Sequence, residues 1–209
     1  MRDTSRKKSS EDTREDIESR DREFLSFLSK HRPKHGFGSR RVYFNPTREK
    51  HALIKGFKGR IDSSTPSIMN STDGGVAPLG ELAGEGVECL SVQQCNDLDF
   101  IDLSSLDGCP TLQGIRIYRN YGNIKHFVLP SDCPALYEID MEGNYSLVHP
   151  IDLSVLDGSP SLRILRLPDN GGRFILPSEC PGLEVLNLNG STVKDWRLEG
   201  CPELKLVML

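Results

Sequence analysis

One block recurs down the second half of this chain, with leucine-like residues at its first, fourth and sixth positions and a small polar residue at its ninth. The copies read Val87-Leu90-Val92-Cys95, Leu112-Ile115-Ile117-Asn120, Leu136-Ile139-Met141-Asn144, Leu162-Leu165-Leu167-Asn170 and Leu183-Leu186-Leu188-Ser191, followed by a cut-off copy, Leu204-Val207-Leu209. Successive copies start 25, 24, 26, 21 and 21 residues apart. A period of that length is the mark of a repeat architecture in which each unit is one supersecondary element.

The spacing has a direct physical meaning. Apolar residues separated by one position describe a short strand with one face in a core. A single strand of that kind cannot bury its face, whereas copies stacked about 4.8 Å apart form a parallel sheet over a continuous apolar column. The ninth residue falls where the chain leaves the strand and backbone groups lose their sheet partners, so Cys95, Asn120, Asn144, Asn170 and Ser191 are expected to bond those freed groups on neighbouring rungs.

By these residues the chain resembles the leucine-rich-repeat family, from about Gly84 to Leu209. The resemblance implies an α/β repeat solenoid with a curved parallel sheet, short helical or extended convex segments, and protein binding on the concave face. A slower rhythm overlies the repeat. Phe100-Ile101-Asp102-Leu103 returns as Pro150-Ile151-Asp152-Leu153, each followed by Ser and a Leu-Asp-Gly, and Phe127-Val128-Leu129-Pro130 returns as Phe174-Ile175-Leu176-Pro177. The convex side is therefore expected to alternate a helical-turn segment with an extended one, as an array grown by duplication of pairs would.

Side chains alternate along a strand, so residues between the core positions face the concave surface. The central column reads Ser91, Arg116, Asp140, Arg166, Asn187 and Met208; Gln93, Tyr118 and Glu142 lie on one side of it, and Cys89, Gly114, Glu138, Ile164, Val185 and Leu206 on the other. Arg116, Tyr118, Glu138, Asp140, Glu142, Arg166 and Asn187 are the candidate partner-binding residues. Two readings stand for the charged column. Its members neutralise one another across strands, at about 0.2–1 kcal/mol per pair, or Tyr118 and the arginines anchor a partner protein, as these residue types do at interface hot spots. The three carboxylates alternate along one strand about 7 Å apart, too far to chelate one ion.

Four cysteines, Cys109, Cys133, Cys180 and Cys201, each precede a proline at the repeat period, with Ser159 in the same slot of the intervening rung. They read as buried thiols at the turn into the sheet. Neighbouring rungs bring Cys133 near Cys109 and Cys201 near Cys180, within reach of disulfides, but the absence of an apolar signal segment after the N-terminal charges points to a cytoplasmic chain with reduced thiols. No Cys-x-x-Cys or paired-histidine spacing suggests zinc, and no apolar run suggests a membrane span. No cofactor is expected.

The N-terminal part divides by composition into residues 1–30, 31–60 and 61–83, ahead of the repeats at 84–209. Residues 1–30 carry eight basic and eight acidic residues, with Ile17, Phe24, Leu25, Phe27 and Leu28 at helical spacing, which predicts an amphipathic helix over 11–29, a cap on the solenoid or an arm. Residues 31–60 hold nine basic residues against Glu49, a net +8, while 61–209 carry a net −12. Such asymmetry suits nucleic acid, an anionic surface, or the protein's own acidic solenoid. Residues 61–83 are rich in Ser, Thr, Gly and Pro and read as a linker.

Catalytic signatures are missing from the sequence: there is no glycine-rich phosphate loop and no recognisable Ser-His-Asp set. The expectation is a non-enzymatic protein-interaction module. The alternative is a nucleic-acid or acidic-surface binder acting through the basic arm at 31–60. The last copy stops at Leu209 without a polar cap, which predicts either a longer array or self-association through the open end.

Overall fold

The computed structural model describes residues 50–69, 75–95, 97–118, 120, 124–142, 150–168, 173–188, 192–193 and 200–208. The chain divides between Arg41 and Val42, and every described residue belongs to the second unit. The helix expected at 11–29 and the ladder residues Asn144, Asn170 and Ser191 lie outside the described residues.

In chain order the strands are β1 (His51–Lys55), β2 (Gly59–Ile61), β3 (Pro66–Met69), β4 (Val76–Pro78), β5 (Cys89–Gln93), β6 (Leu98–Asp102), β7 (Gly114–Tyr118) and β8 (His126–Val128), then β9 (Glu138–Asp140), β10 (Ile151–Asp152), β11 (Ile164–Arg166), β12 (Arg173–Ile175), β13 (Val185–Asn187), β14 (Thr192–Val193) and β15 (Leu206–Met208). They form a mostly parallel β-solenoid with little helix. Its principal sheet has nine strands in the order β15-β13-β11-β9-β7-β5-β1-β3-β4, and two three-stranded sheets, β2-β6-β8 and β10-β12-β14, lie on the return path of the coils.

Register in the principal sheet follows the repeat. Ala52, Leu90, Ile115, Ile139, Leu165, Leu186 and Val207 are neighbours from β1 to β15. The first six are fully buried. A slip of one residue would turn this column to the opposite face, so the apolar pattern itself pins the register. Leu103, Leu106, Leu153, Leu156 and Phe174 close the core from the return side.

The N-terminal part of the expected organisation differs. The segment expected as a linker carries β3 and β4, of which β3 pairs antiparallel with both β1 and β4, and β1 itself lies in the basic segment and pairs parallel with β5. The sheet thus begins a rung before the first leucine-rich copy, because Ala52-x-Ile54 supplies the alternation without a leucine at its first position. On the return side, helical structure among the described residues is limited to single 3-10 turns such as Ser104–Leu106 and Ser154–Leu156. A coil of 21 to 26 residues leaves little chain for a longer helix once two strands and their corners are made.

The two-rung rhythm is visible in the backbone. Leu103 and Leu153, before the two 3-10 turns, have φ/ψ of −103/11° and −102/6°, and Asp107 and Asp157, after them, −54/136° and −56/135°. Each turn opens with an aspartate accepting from a serine N–H, Asp102 from Ser104 at 3.0 Å and Asp152 from Ser154 at 2.9 Å, an Asx arrangement. Each ends at a left-handed glycine, Gly108 (φ 69°) or Gly158 (φ 73°). Between these turns run extended segments: the backbone N–H of Ser131 donates to Asp107 at 2.7 Å, and that of Ser178 to Asp157.

The ninth-position ladder acts across rungs where it is described. Asn120 accepts from the Cys95 N–H at 2.9 Å and donates to the Val92 carbonyl at 3.2 Å. One buried amide thereby satisfies a donor and an acceptor that the sheet has released.

Candidate functional site

Strand alternation, carried through the observed register, places one row of side chains on the sheet face opposite the core column. Across all nine strands it reads Val76, Ile68, Leu53, Ser91, Arg116, Asp140, Arg166, Asn187, Met208. The part from Ser91 onward is the column expected from sequence. Its first three members come from the antiparallel hairpin and β1, and Ile68 and Val76 are 48% and 66% exposed. The row is thus apolar and exposed at one end and charged in the middle.

Glu138, from the flanking column, is the centre of the charged part. Its side chain is 1% exposed. Arg116 donates from Nη2 to its Oε2 at 3.0 Å, and Arg166, one rung further, donates from Nη1 to its Oε1. Arg166 also reaches Asp140 Oδ2 at 3.5 Å. The arginines therefore do not simply alternate with Asp140; they reach diagonally to the carboxylate two residues before it, a span long side chains cover between neighbouring strands. The buried carboxylate requires this, since an ion removed from water is tolerated only when paired and hydrogen-bonded.

Further hydrogen bonds extend the network along the row. Asp140 accepts from the Glu142 N–H at 3.0 Å, and Asn187 donates from Nδ2 to Glu142 Oε1. Six of the seven candidate residues are joined in this way. The seventh, Tyr118, donates its hydroxyl to Gln93 Oε1 at 2.7 Å on the adjoining rung. Glu138 and Asn187 are buried, whereas Arg116, Tyr118, Asp140, Glu142 and Arg166 are half-buried. The buried pair positions the others.

His51, one of five histidines scattered through the sequence, belongs to this face. It stands beside Cys89 in the register and shares a 2.7 Å hydrogen bond between Nε2 and Ser91 Oγ. Burial, together with the Arg116 charge, holds its pKa below the usual histidine value. Burial likewise pushes the Cys89 thiol up to about 11, with Glu138 adding and Arg116 opposing. Arg116 loses proton affinity to burial but regains more from Glu138, Cys89 and Asp140 together, and its pKa stands above the ordinary value. His51 and Cys89 are therefore neutral at neutral pH. The sequence signal for His51 is its alternation with Ala52 and Ile54.

The apolar end of the flanking column, Ile164, Val185 and Leu206, is buried at Ile164 and half-buried at the other two. The basic segment is partly neutralised within the fold: Lys50 faces Glu88 at 4.0 Å, Lys58 faces Asp97 at 3.8 Å and Arg60 faces Asp62 at 3.7 Å. Among the described residues, no group of three His, Cys, Asp or Glu side chains is placed to hold a metal ion, and no helix is long and apolar enough to cross a membrane. No family model matches the chain, and no curated protein or solved structure matches it.

Proposed function

We propose that this chain is a non-enzymatic protein-interaction module of leucine-rich-repeat type, and that its partner protein lies across the row from Val76 to Met208. The observation that carries this reading is the continuity of that row over nine strands with a change of chemistry along it. Exposed Ile68 and Val76 supply apolar area, and half-buried Tyr118, Arg116, Asp140 and Arg166 supply oriented polar groups. Protein interfaces combine apolar area with oriented polar groups, and tyrosine and arginine carry a large share of binding energy. Because Glu138 already holds both guanidinium groups, they meet a partner without first losing side-chain freedom, which favours affinity.

The test uses changes that spare the buried carboxylate. Affinity capture from host lysate compares the intact chain, a Tyr118→Ala/Ile68→Ser variant of this face, and a Val155→Ser/Ile175→Ser control on the return side, all with matching circular dichroism. Proteins held by the intact chain and the control but lost by the first variant support the proposal. A captured set identical in all three overturns it.

A further inference from the structure

The cysteine column is divided by Ser159 into two pairs, Cys109 with Cys133 and Cys180 with Cys201, and the pairs differ in geometry. All six cysteines are buried free thiols. In the first pair Cys133 turns its thiol to the carbonyls of Leu106 and Ser131, both at 3.4 Å, and Cys109 turns toward the Val87 carbonyl at 3.9 Å. The bond between these rungs runs from the Gly108 N–H to the Ser131 carbonyl at 2.9 Å, two residues before Cys133.

At the second pair the rungs meet in register. Glu179 and Gly200 form a parallel bridge, and the Cys180 N–H donates to the Gly200 carbonyl at 3.1 Å, which sets Cys180 and Cys201 side by side. Glycine at 200 permits the approach, since a Cβ there would stand 2.5 Å from the Ser178 carbonyl oxygen. The thiols of the two residues lie close enough to influence each other's ionisation. Cys180 also lies 3.5 Å from the Leu156 carbonyl.

We propose that Cys180 and Cys201 are a reactive dithiol that a peroxide closes into a disulfide linking two rungs, a site outside the partner-binding face. Cys201 is the nucleophile. The neighbouring Cys180 thiol and the backbone group of Cys180 hold it below the ordinary thiol range, down to about 7, against burial and the Asp157 charge, while Cys180 keeps its proton well above neutrality. The Cys201 thiolate attacks one peroxide oxygen, the O–O bond breaks, and hydroxide leaves and takes up a proton, giving a sulfenic acid. The Cys180 sulfur then displaces the sulfenic oxygen, its own proton leaving with that oxygen as water. Two thiols and one hydrogen peroxide thus become one disulfide and two waters, with no other reductant consumed. Cys201 is 5% exposed and Cys180 fully buried, in keeping with Cys201 as the first residue to react.

The test is non-reducing peptide mapping of the full chain after hydrogen peroxide at neutral pH. The expected result is a Cys180–Cys201 cross-linked peptide with loss of two hydrogens, forming at least about tenfold faster than any oxidised product of Cys109 or Cys133. In Cys180→Ser the cross-link is lost and dimedone labels Cys201, whereas Cys109→Ser leaves the cross-link unchanged. If oxidation spreads over the four thiols at similar rates, or no cross-link forms in the intact chain, the proposal fails. The intact-chain map decides by itself should Cys180→Ser not fold.

Discussion

Arg116 and Glu138 face each other across neighbouring strands at 3.0 Å, with the carboxylate almost wholly out of water and a second arginine, Arg166, on its other oxygen. The pair makes Glu138 indispensable to a site whose exposed surface it hardly enters. Glu138→Gln leaves two guanidinium groups without their shared counter-charge. We expect a loss of about 3–5 kcal/mol in denaturant unfolding, with part of the loss recovered when Arg116→Met and Arg166→Met are added.

Asn120 serves Cys95 and Val92 of the preceding rung at once. Asn120→Ala strands a buried N–H and a buried C=O, and each unsatisfied group costs about 1–3 kcal/mol. Hydrogen exchange of the Cys95 amide should accelerate in that variant more than that of the Leu165 amide two rungs away.

At both Gly108 and Gly158 a Cβ would meet nothing within 4 Å, yet φ lies at 69° and 73°. Space is available, so the cost of Gly108→Ala or Gly158→Ala is conformational, about 1–2 kcal/mol each. The two sites are about 10 Å apart, two rungs of the stack, and the double variant should lose the sum of the two losses in denaturant unfolding.

His51 has a folded pKa below its unfolded value of 6.5. Between the folded value and 6.5 the unfolded chain binds more protons, so stability rises with pH in that window and is lost as pH falls from 6.5 through the folded value. Unfolding measured across this range should show that slope, and His51→Gln should flatten it. Asp62 and Asp102 are held below 3.8 chiefly by bonds from Ser64 and Ser104, and their contribution is lost only in stronger acid.

The repeat alone specifies the register from β5 to β15, because Leu90, Ile115, Ile139, Leu165, Leu186 and Val207 each occupy the same place in their strand. It specifies the alternating return segments for the same reason: Asp102-x-Ser104 and Asp152-x-Ser154 carry their turn chemistry locally. What escapes a sequence reading is non-local or lacks leucine. β1 is built on Ala52 and Ile54, and β3 and β4 lie in a Ser- and Pro-rich stretch whose pairing is decided by β1, not by their own composition. The charged column is legible in sequence, but alternation centres it on Asp140 where the structure centres it on Glu138, since strand alternation assigns a face and cannot assign the diagonal reach of an arginine.

The matching of Asp107 with Ser131, and of Asp157 with Ser178, makes two rungs the smallest interchangeable length of this chain. Loss or gain of a single rung would seat either two aspartate corners or two serine corners together, leaving an aspartate without its donor or a serine N–H without its acceptor. Excision of the 50 residues from 101 to 150 would instead bring Ile151-Asp152-Leu153 to the place of Ile101-Asp102-Leu103 with every corner still facing its complement. Lineages of such a protein are expected to vary in length by even numbers of rungs, a parity rule imposed by two side-chain carboxylates on the return side of the coil.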